Sequence, residues 1–356
     1  MWQMSRPLKR HGRPAALMFG LLAVAGCVEA APSVDSGAPP ADPWYAAYVD
    51  VTVPSSYRID DPPVPAAANA VLAFVVADGD DPCTPSWGNY YSLDEARTQA
   101  DLDGRIARVR KSGGDVAVSF GGARDDELAT VCRDETRLAE AYRSVIDRYQ
   151  VGTIDLDIEG DDLEDQDAGT RRAAVIAQLQ HDRPQERPLH VWLTLPAEPT
   201  GLTGDAEAAV SHMLEAGVEL AGVNIMAMNY GDGRQAPASM LDTTLAAAQS
   251  AHRQLGELYG RTGRTLDDAQ LWGRIGLTPM NGHNDFEGQV TGLDTARGLN
   301  EFARSHGVAR LSMWSLNRDR PCSEKVRQPS DTCSGVAQEP GGFSRILGYG
   351  FAGSIR

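Results

Sequence analysis

Eight apolar segments rich in β-forming residues recur along the chain, with amphipathic stretches between them. They are WYAAYVDVTV from Trp44, AVLAFVVAD from Ala70, DVAVSFGGA from Asp115, GTIDLDIEG from Gly152, LHVWLTLPA from Leu189, AGVNIMAMNYG from Ala221, RIGLTPMNG from Arg274 and ARLSMWSLNRD from Ala309. Alternating strands and helices predict a parallel sheet. Eight such units in about 310 residues predict an α/β fold with one (β/α)8 TIM barrel, which usually takes about 250 residues plus insertions. A doubly wound open sheet is the alternative.

Four of the intervening stretches predict long helices. They are SLDEARTQADLDGRIARVRKSG from Ser92, DETRLAEAYRSVIDRYQ from Asp134, MLDTTLAAAQSAHRQLGELYG from Met240 and GLDTARGLNEFARSHG from Gly292. Ser92 and Asp134 are residue types suited to the N-cap. The unusual polar residues of the chain fall toward the C-terminal ends of the strands, the face of such a barrel that carries the chemistry.

The N-terminus indicates export. Four basic residues precede the uncharged run PAALMFGLLAVAG, which is followed by Cys27. This is the pattern of a signal peptide, and the run is shorter than the roughly 20 residues that a membrane-spanning helix needs. VAGC resembles a bacterial lipobox, which predicts a lipid-modified Cys27; an ordinary signal peptide cleaved nearby is the alternative. We expect a signal peptide over residues 1–27, a flexible tether over 28–43 and one catalytic domain over 44–356, in a protein that is anchored at the membrane or cell surface or is secreted.

The other cysteines predict two disulfides. Cys83, Cys132, Cys322 and Cys333 are an even set in an exported chain, for which three connectivities exist. Cys322 and Cys333 bracket a polar loop, which favours local pairing and leaves Cys83 with Cys132. The chain has no CxxC and its histidines are scattered, so we expect neither a metal site nor a cofactor.

The formal net charge is −16. An acidic body repels nucleic acid and anionic surfaces, so neither is an expected partner, apart from a membrane reached through the lipid anchor. A neutral or cationic substrate suits it better, and we expect a monomer.

In GTIDLDIEG, Asp155, Asp157 and Glu159 alternate with aliphatic residues. On a strand all three would share one face. Crowded and buried carboxylates cannot all ionise, so at least one pKa should be raised. A carboxyl kept protonated near neutral pH can act as a general acid, and Glu159, nearest the strand's C-terminal end, is the predicted donor. A calcium site or a solvated acidic edge is the alternative.

These residues resemble the DGxDxDxE signature of glycoside hydrolase family 18, the chitinases and their relatives. Gly152 and Thr153 replace the first two residues of the signature. SFGG resembles the family's SxGG on strand three and suggests Ser119, Gly121 and Gly122 as substrate-binding residues. NIMAMNYG resembles QxxxMxYD on strand six, with Met228 and Tyr230 kept. In MWSLNRD, Trp314 takes the place of the tryptophan under the sugar of subsite −1.

The resemblance implies substrate-assisted catalysis, in which the 2-acetamido oxygen attacks the anomeric carbon while Glu159 protonates the leaving oxygen. Asp157 would orient the acetamide, Asp155 would share a proton with Asp157, and Tyr230 would bind the acetamide carbonyl. Gly231 stands where the sixth-strand motif has its aspartate, so Asn229 or Asp232 would take over the polar role of that aspartate.

Further residues could extend the cleft. Trp87, Tyr90 and Tyr91 could flank outer subsites, or could pack beside the Cys83 disulfide. Asn281, Asn284 and Asp285 could contact sugar hydroxyls, or form a plain polar loop, and Trp192 is a candidate core residue. GYGFAG near the chain end matches GxGxxG but has no helix after it, so it predicts no dinucleotide site.

The predicted function is a chitinase acting on polymers or oligomers of β-1,4-linked N-acetylglucosamine. An endo-β-N-acetylglucosaminidase acting on glycoprotein glycans would use the same catalytic residues. A non-hydrolytic chitin-binding barrel is disfavoured, because both Asp157 and Glu159 are present.

Overall fold

The computed structural model describes residues 42–53, 57–231 and 239–355. The predicted signal peptide, the lipidation site Cys27, nearly all of the tether and Asp232 lie outside these ranges.

Eight parallel strands close into the predicted barrel. β1 consists of two pieces, Trp44–Tyr45 and Ala47–Asp50, and the strands that follow are β2 (Ala70–Ala77), β3 (Val116–Gly121), β4 (Thr153–Asp157), β5 (His190–Glu198), β6 (Leu220–Ala227), β7 (Ile275–Pro279) and β8 (Arg310–Leu311). Each strand pairs with the next from β2 to β8. β1 closes the ring by pairing with β8 through its first piece and with β2 through its second. The alternation of the sequence thus predicted the barrel correctly.

Helices surround the barrel. Their bounds are Leu93–Gln99, Leu102–Lys111, Leu128–Val131, Glu135–Tyr149, Gly160–Glu164, Gln166–His181, Gly204–Glu215, Met240–Arg261, Asp268–Trp272, Leu293–His306 and Gly342–Leu347, with 3₁₀ turns at Pro65–Ala67 and Leu316–Arg318. Asp134 caps its helix as predicted, accepting hydrogen bonds from two backbone amides of the first turn. None of the helices in the described ranges is long and apolar enough to cross a membrane.

Two connections differ from the sequence prediction. The stretch from Ser92 forms two helices, because Asp101 adopts a left-handed conformation (φ 51°) between them. Between β1 and β2 the described residues contain a 3₁₀ turn in place of an α-helix. The segment DDPPVP before this turn contains three prolines, which donate no backbone hydrogen bonds and so disfavour a helix.

The core has two layers. One lies between strands and helices and includes Ile154, Leu156 and Ile158 of the β4 segment. The other fills the barrel and includes Trp44, Tyr48 and Trp192, so Trp192 is a core residue.

Short strand pairs and two disulfides shape the loops above the barrel. Pro85–Trp87 pairs with Tyr91–Ser92 after β2, Gly201–Leu202 pairs with the end of β5, and Gly282–His283 pairs with Val290–Thr291 after β7. The disulfides are Cys83–Cys132 and Cys322–Cys333, which confirms both predicted pairings.

Candidate functional site

The carboxylate segment of β4 points into the barrel mouth. Asp155 and Asp157 are buried on the inner face, with 1% and 4% exposure, whereas the aliphatic residues between them face the helices. Glu159 lies two residues beyond the last strand residue, in extended conformation, at the start of the helix Gly160–Glu164. The period of two therefore places all three carboxyl groups toward the same opening.

Asp155 is held by hydrogen-bond donors from four other strands. Its Oδ1 accepts from Arg310 Nη1 at 2.6 Å and from the Thr194 hydroxyl at 2.7 Å. Its Oδ2 accepts from the Ser119 hydroxyl at 2.7 Å and from the Tyr48 hydroxyl at 2.8 Å. Four donors on two oxygens match the ionised carboxylate, which can only accept.

This arrangement corrects two expectations from the sequence. Asp155 is paired with a guanidinium, and the hydrogen bond of Asp157 goes to Glu159. The hydrogen bond of Asp157 that we expected with Asp155 is therefore made with Glu159 instead. Ser119, predicted to bind substrate, is fully buried and holds Asp155 instead.

Asp157, which is buried, and Glu159, which is half-buried, form an interacting acid pair. Burial raises the pKa of Asp157 well above its ordinary value, and the negative charges of Glu159 and Asp155 raise it further, while Arg310 opposes them. Burial also raises the pKa of Glu159 to about 7; the hydrogen bond with Asp157 lowers it, and the charges of Asp285 and Asp162 raise it. A carboxyl that keeps its proton near neutral pH is equipped to act as a general acid.

A cleft opens beside this pair. It is a cavity of about 410 Å³, and Asp157, Glu159 and Trp314 contribute to its lining. The Trp314 ring stacks on Phe74 with centroids 5.3 Å apart and planes 13° from parallel, which holds the indole as a platform. Oδ1 of Asp157 is buried and has no hydrogen-bond partner among the described residues.

A second cavity of about 500 Å³ also has Glu159 in its lining. Glu159, Ala123 and Asp125 line both cavities, so the two adjoin at the carboxyl group of Glu159. The second cavity is acidic, with Asp78, Asp126, Asp161 and Asp162 also in its lining.

The structure brings several predicted residues to these cavities. Trp314, Met228, Asn229, Asp285 and Tyr90 line the cleft, and Gly122 lines the second cavity. Asn229 and Asp285 form two hydrogen bonds with each other. The Asn229 amide nitrogen donates to Asp285 Oδ2 at 2.7 Å, and the Asp285 backbone N–H donates to the Asn229 amide oxygen at 3.0 Å.

Tyr230 does not reach the cleft. β6 ends at Ala227 and the chain turns at Asn229, whose φ is 51°. The Tyr230 side chain is consequently 3% exposed in the outer core, where its hydroxyl is 3.1 Å from that of Thr244 on the helix Met240–Arg261. The residues of this segment that line the cleft are Met226, Met228 and Asn229, in place of the tyrosine that the resemblance led us to expect there.

Three other predicted contacts are also structural. Trp87 is fully buried, and its indole N–H donates to the Tyr149 hydroxyl at 2.9 Å. Asn281 is fully buried beneath the site, with its backbone N–H bonded to the Trp314 carbonyl. Gly121 has φ 98°, and a Cβ there would lie 2.1 Å from the Asp157 carbonyl oxygen, so this glycine allows β3 to approach β4 closely.

Sequence reasoning missed Arg310, Tyr48, Thr194 and Phe74. Arg310 and Tyr48 left a signal, since each is a polar or charged residue inside an otherwise apolar strand segment. Phe74 and Thr194 are typical strand residues and left none.

Two curated proteins named as chitinases are similar in sequence to this chain. The chain is 33% identical over 288 residues to a probable bifunctional chitinase/lysozyme of Escherichia coli K12, covering 78% of this chain and 31% of the relative. It is 32% identical over 293 residues to Endochitinase 11 of Metarhizium anisopliae, covering 78% and 53%. It therefore spans about half or less of the length of these relatives. No family model matches it.

Solved structures share the architecture. The catalytic domain of the hyperthermophilic chitinase from Pyrococcus furiosus superposes with a TM-score of 0.75 at 26% identity, covering 89% of this chain and all of that domain. Family 18 chitinases of lower identity share the fold. The DxDxE segment on the fourth barrel strand, the chitinase relatives and these structures lead to one assignment. The chain belongs to glycoside hydrolase family 18.

Proposed function

We propose that this protein is a chitinase that hydrolyses β-1,4 linkages between N-acetylglucosamine units. The observation that carries the proposal is the acid pair Asp157–Glu159 at the mouth of the barrel, beside the Trp314 platform. The pair supplies a proton donor and a carboxylate, and the indole supplies an apolar face for a sugar ring.

Glu159 is the proton donor in this proposal. With a pKa of about 7 it is about half protonated at neutral pH and largely protonated below it. Its position in the lining of both cavities lets a glycan chain lie across it, with the bond to be cleaved at the carboxyl. Its proton goes to the glycosidic oxygen as the bond from that oxygen to the anomeric carbon breaks.

The substrate provides the nucleophile. The carbonyl oxygen of the 2-acetamido group bonds to the anomeric carbon, giving an oxazolinium ion. Water then attacks the anomeric carbon and gives a proton to the Glu159 carboxylate, while the bond from the anomeric carbon to the acetamide oxygen breaks, with retained configuration overall. Asp157 accepts a hydrogen bond from the acetamide N–H and stabilises the positive charge that develops on the acetamide nitrogen. The free Oδ1 of Asp157, buried and without a partner among the described residues, suits this role.

The substrate class is supported by the relatives. Catalytic-site mutants of active domain 2 of the Pyrococcus furiosus chitinase were crystallised with chito-oligosaccharides. A cleft of about 410 Å³ with a stacked indole fits a sugar of that kind.

The test is hydrolysis of N-acetylglucosamine oligomers by the protein and by Glu159→Gln. We expect the variant to lose activity by about 10²- to 10⁴-fold while still binding oligosaccharide. Glu164→Gln, which changes an exposed acid on the adjacent helix, is the matched control and should retain activity. Full activity of Glu159→Gln would refute the assignment. Release of intact glycans from a glycoprotein, with no chitobiose from colloidal chitin, would instead indicate an endo-β-N-acetylglucosaminidase.

We also propose that the protein is exported and lipid-anchored, from the basic N-terminal region, the apolar run and VAGC ending at Cys27. Cys27→Ser should release the protein from the membrane fraction. Membrane retention of this variant would contradict the anchor.

A further inference from the structure

A buried ion pair at the centre of the barrel joins Asp155, the first acid of the DxDxE segment, to Arg310, which lies outside that segment. Arg310 and Asp155 are each 1% exposed, with 2.6 Å between the nitrogen and the oxygen. The guanidinium carbon lies 5.1 Å from the ring centroid of Trp44 and 5.4 Å from those of Tyr48 and Trp192. Three rings and one carboxylate thus fix the position of Arg310.

The neighbouring hydrogen bonds fix which groups donate to Asp155. The Tyr48 hydroxyl accepts from Arg310 Nη2 at 3.0 Å, so its own hydrogen is left for Asp155. The Thr194 hydroxyl accepts from the Asn224 amide nitrogen at 2.9 Å and donates to Asp155 in turn. The Asn224 amide is held in that orientation because its oxygen accepts from Thr278. Two of the donors to Asp155, the Tyr48 and Thr194 hydroxyls, are thus directed by partners behind them, and a proton on Asp155 would meet further donors.

We propose that Arg310 is a positioning residue that keeps Asp155 ionised throughout turnover, so that the exchangeable proton of the site stays between Asp157 and Glu159. This inference rests on the proposed function, because it assigns the proton used in that reaction. It differs from the sharing of a proton between the two aspartates that the sequence led us to expect.

The proposal has an electrostatic consequence. The negative charge of Asp155 raises the pKa of Asp157, and the positive charge of Arg310 lowers it. The titratable and charged groups facing Asp155 are Tyr48 from β1, Asp157 from its own strand and Arg310 from β8; β3, β5 and β6 contribute the neutral polar groups of Ser119, Thr194 and Asn224. Loss of the Asp155 charge while Arg310 is in place should therefore lower the pKa of the acid pair. Loss of Arg310 lets Asp155 take up a proton, so that the two opposing influences disappear together.

The experiment is a cycle of Asp155→Asn, Arg310→Met and the double variant, with kcat/KM for chitotetraose measured against pH. Asparagine matches the shape of a protonated aspartate. If Asp155 is ionised, Asp155→Asn removes a negative charge and moves the alkaline limb of the profile to lower pH by about one unit. Without Arg310, Asp155 can take up a proton, so Arg310→Met should leave the limb close to that of the unmodified protein. Asp155→Asn added to Arg310→Met should then move the limb no further.

Two variants separate charge from structure. Arg310→Lys keeps the positive charge and should keep the alkaline limb in place, even if activity falls. Arg172→Met breaks another buried pair, in which Arg172 Nε lies 2.8 Å from Glu127 outside the barrel centre; it should lower stability without moving the limb. An unmoved limb in Asp155→Asn would overturn the proposal, because it would mean that Asp155 already carries a proton. Equal losses of activity in Asp155→Asn and Arg310→Met at all pH values would also overturn the proposal.

The cycle can also be followed without a substrate. The pH dependence of the denaturation midpoint reports the same pKa values through linkage, and the double variant should be more stable than the two single variants predict. If the protein did not cleave chitotetraose at all, the proposed function would fail while this second measurement still tested the state of Asp155.

Discussion

Replacement of Glu159 by glutamine should stabilise the folded protein at alkaline pH and not at acidic pH. The pKa of Glu159 is raised from an ordinary 4.5 to about 7, chiefly by burial. Below pH 4.5 the carboxyl is protonated in both folded and unfolded chains, so its titration has no effect on stability. Between pH 4.5 and 7 the unfolded chain releases the proton and the folded one keeps it, so the free energy of unfolding falls as pH rises. Above pH 7 the free energy of unfolding of the unmodified protein is lower by the full effect of the raised pKa, which is on the order of 3 kcal/mol.

Glutamine does not ionise, so the variant escapes this loss. It also removes a charge that raises the pKa of Asp157, which acts in the same direction. Urea denaturation at pH 4 and at pH 8.5 measures the effect. The stability of Glu159→Gln relative to the unmodified protein should be higher by roughly 3 kcal/mol at the higher pH. Glu164→Gln should show no such difference. If the difference in free energy of unfolding between Glu159→Gln and the unmodified protein were the same at both pH values, the pKa of Glu159 would not be raised by its surroundings, and the reasoning would be refuted.

The remaining predictions concern the surroundings of the pair. Asp285→Asn removes a charge that raises the pKa of Glu159, so the alkaline limb of kcat/KM should move to lower pH; an unmoved limb would exclude this influence. Tyr230→Phe removes a hydroxyl bonded to a helix rather than facing the cleft, so kcat/KM should stay within about twofold while unfolding becomes easier by about 1 kcal/mol in urea. A large loss of activity in Tyr230→Phe would mean that the Tyr230 hydroxyl does contact the substrate. Replacement of Cys83 and Cys132 by serine opens a cross-link with a sequence separation of 49 and should lower the free energy of unfolding by about 4 kcal/mol; an unchanged urea midpoint would contradict this.

The barrel could be predicted because local patterns determine its parts. Each strand segment is apolar enough to be buried on both faces, and in β4 the period of two separates aliphatic residues from carboxylates. That period also predicted which acids point into the barrel mouth. The disulfides followed from parity and loop position.

The site could be predicted only in part, because its other residues depend on turns and on contacts between distant segments. The left-handed turn at Asn229 directs Tyr230 outward, and the sequence of the sixth strand does not reveal it. Trp87 is equally suited by its sequence position to a cleft or a core, and only the folded chain shows its indole bonded to Tyr149.

The partners of Asp155 lie far away along the chain. Arg310 is 155 positions distant and Tyr48 is 107, and barrel closure brings them together. An arginine inside a buried strand segment signals an ion pair, but only the fold identifies its partner.

The role of Glu159 as proton donor is tested most directly by substrates that differ in their need for one. Single-turnover release by Glu159→Gln should be compared for chitotetraose, whose leaving sugar needs a proton, and for a chitobioside of 2,4-dinitrophenol, whose phenolate leaves without one. We expect release to slow by about 10²- to 10⁴-fold for chitotetraose and by less than about tenfold for the dinitrophenyl glycoside. Equal slowing for both substrates would contradict the assignment of Glu159 as the acid.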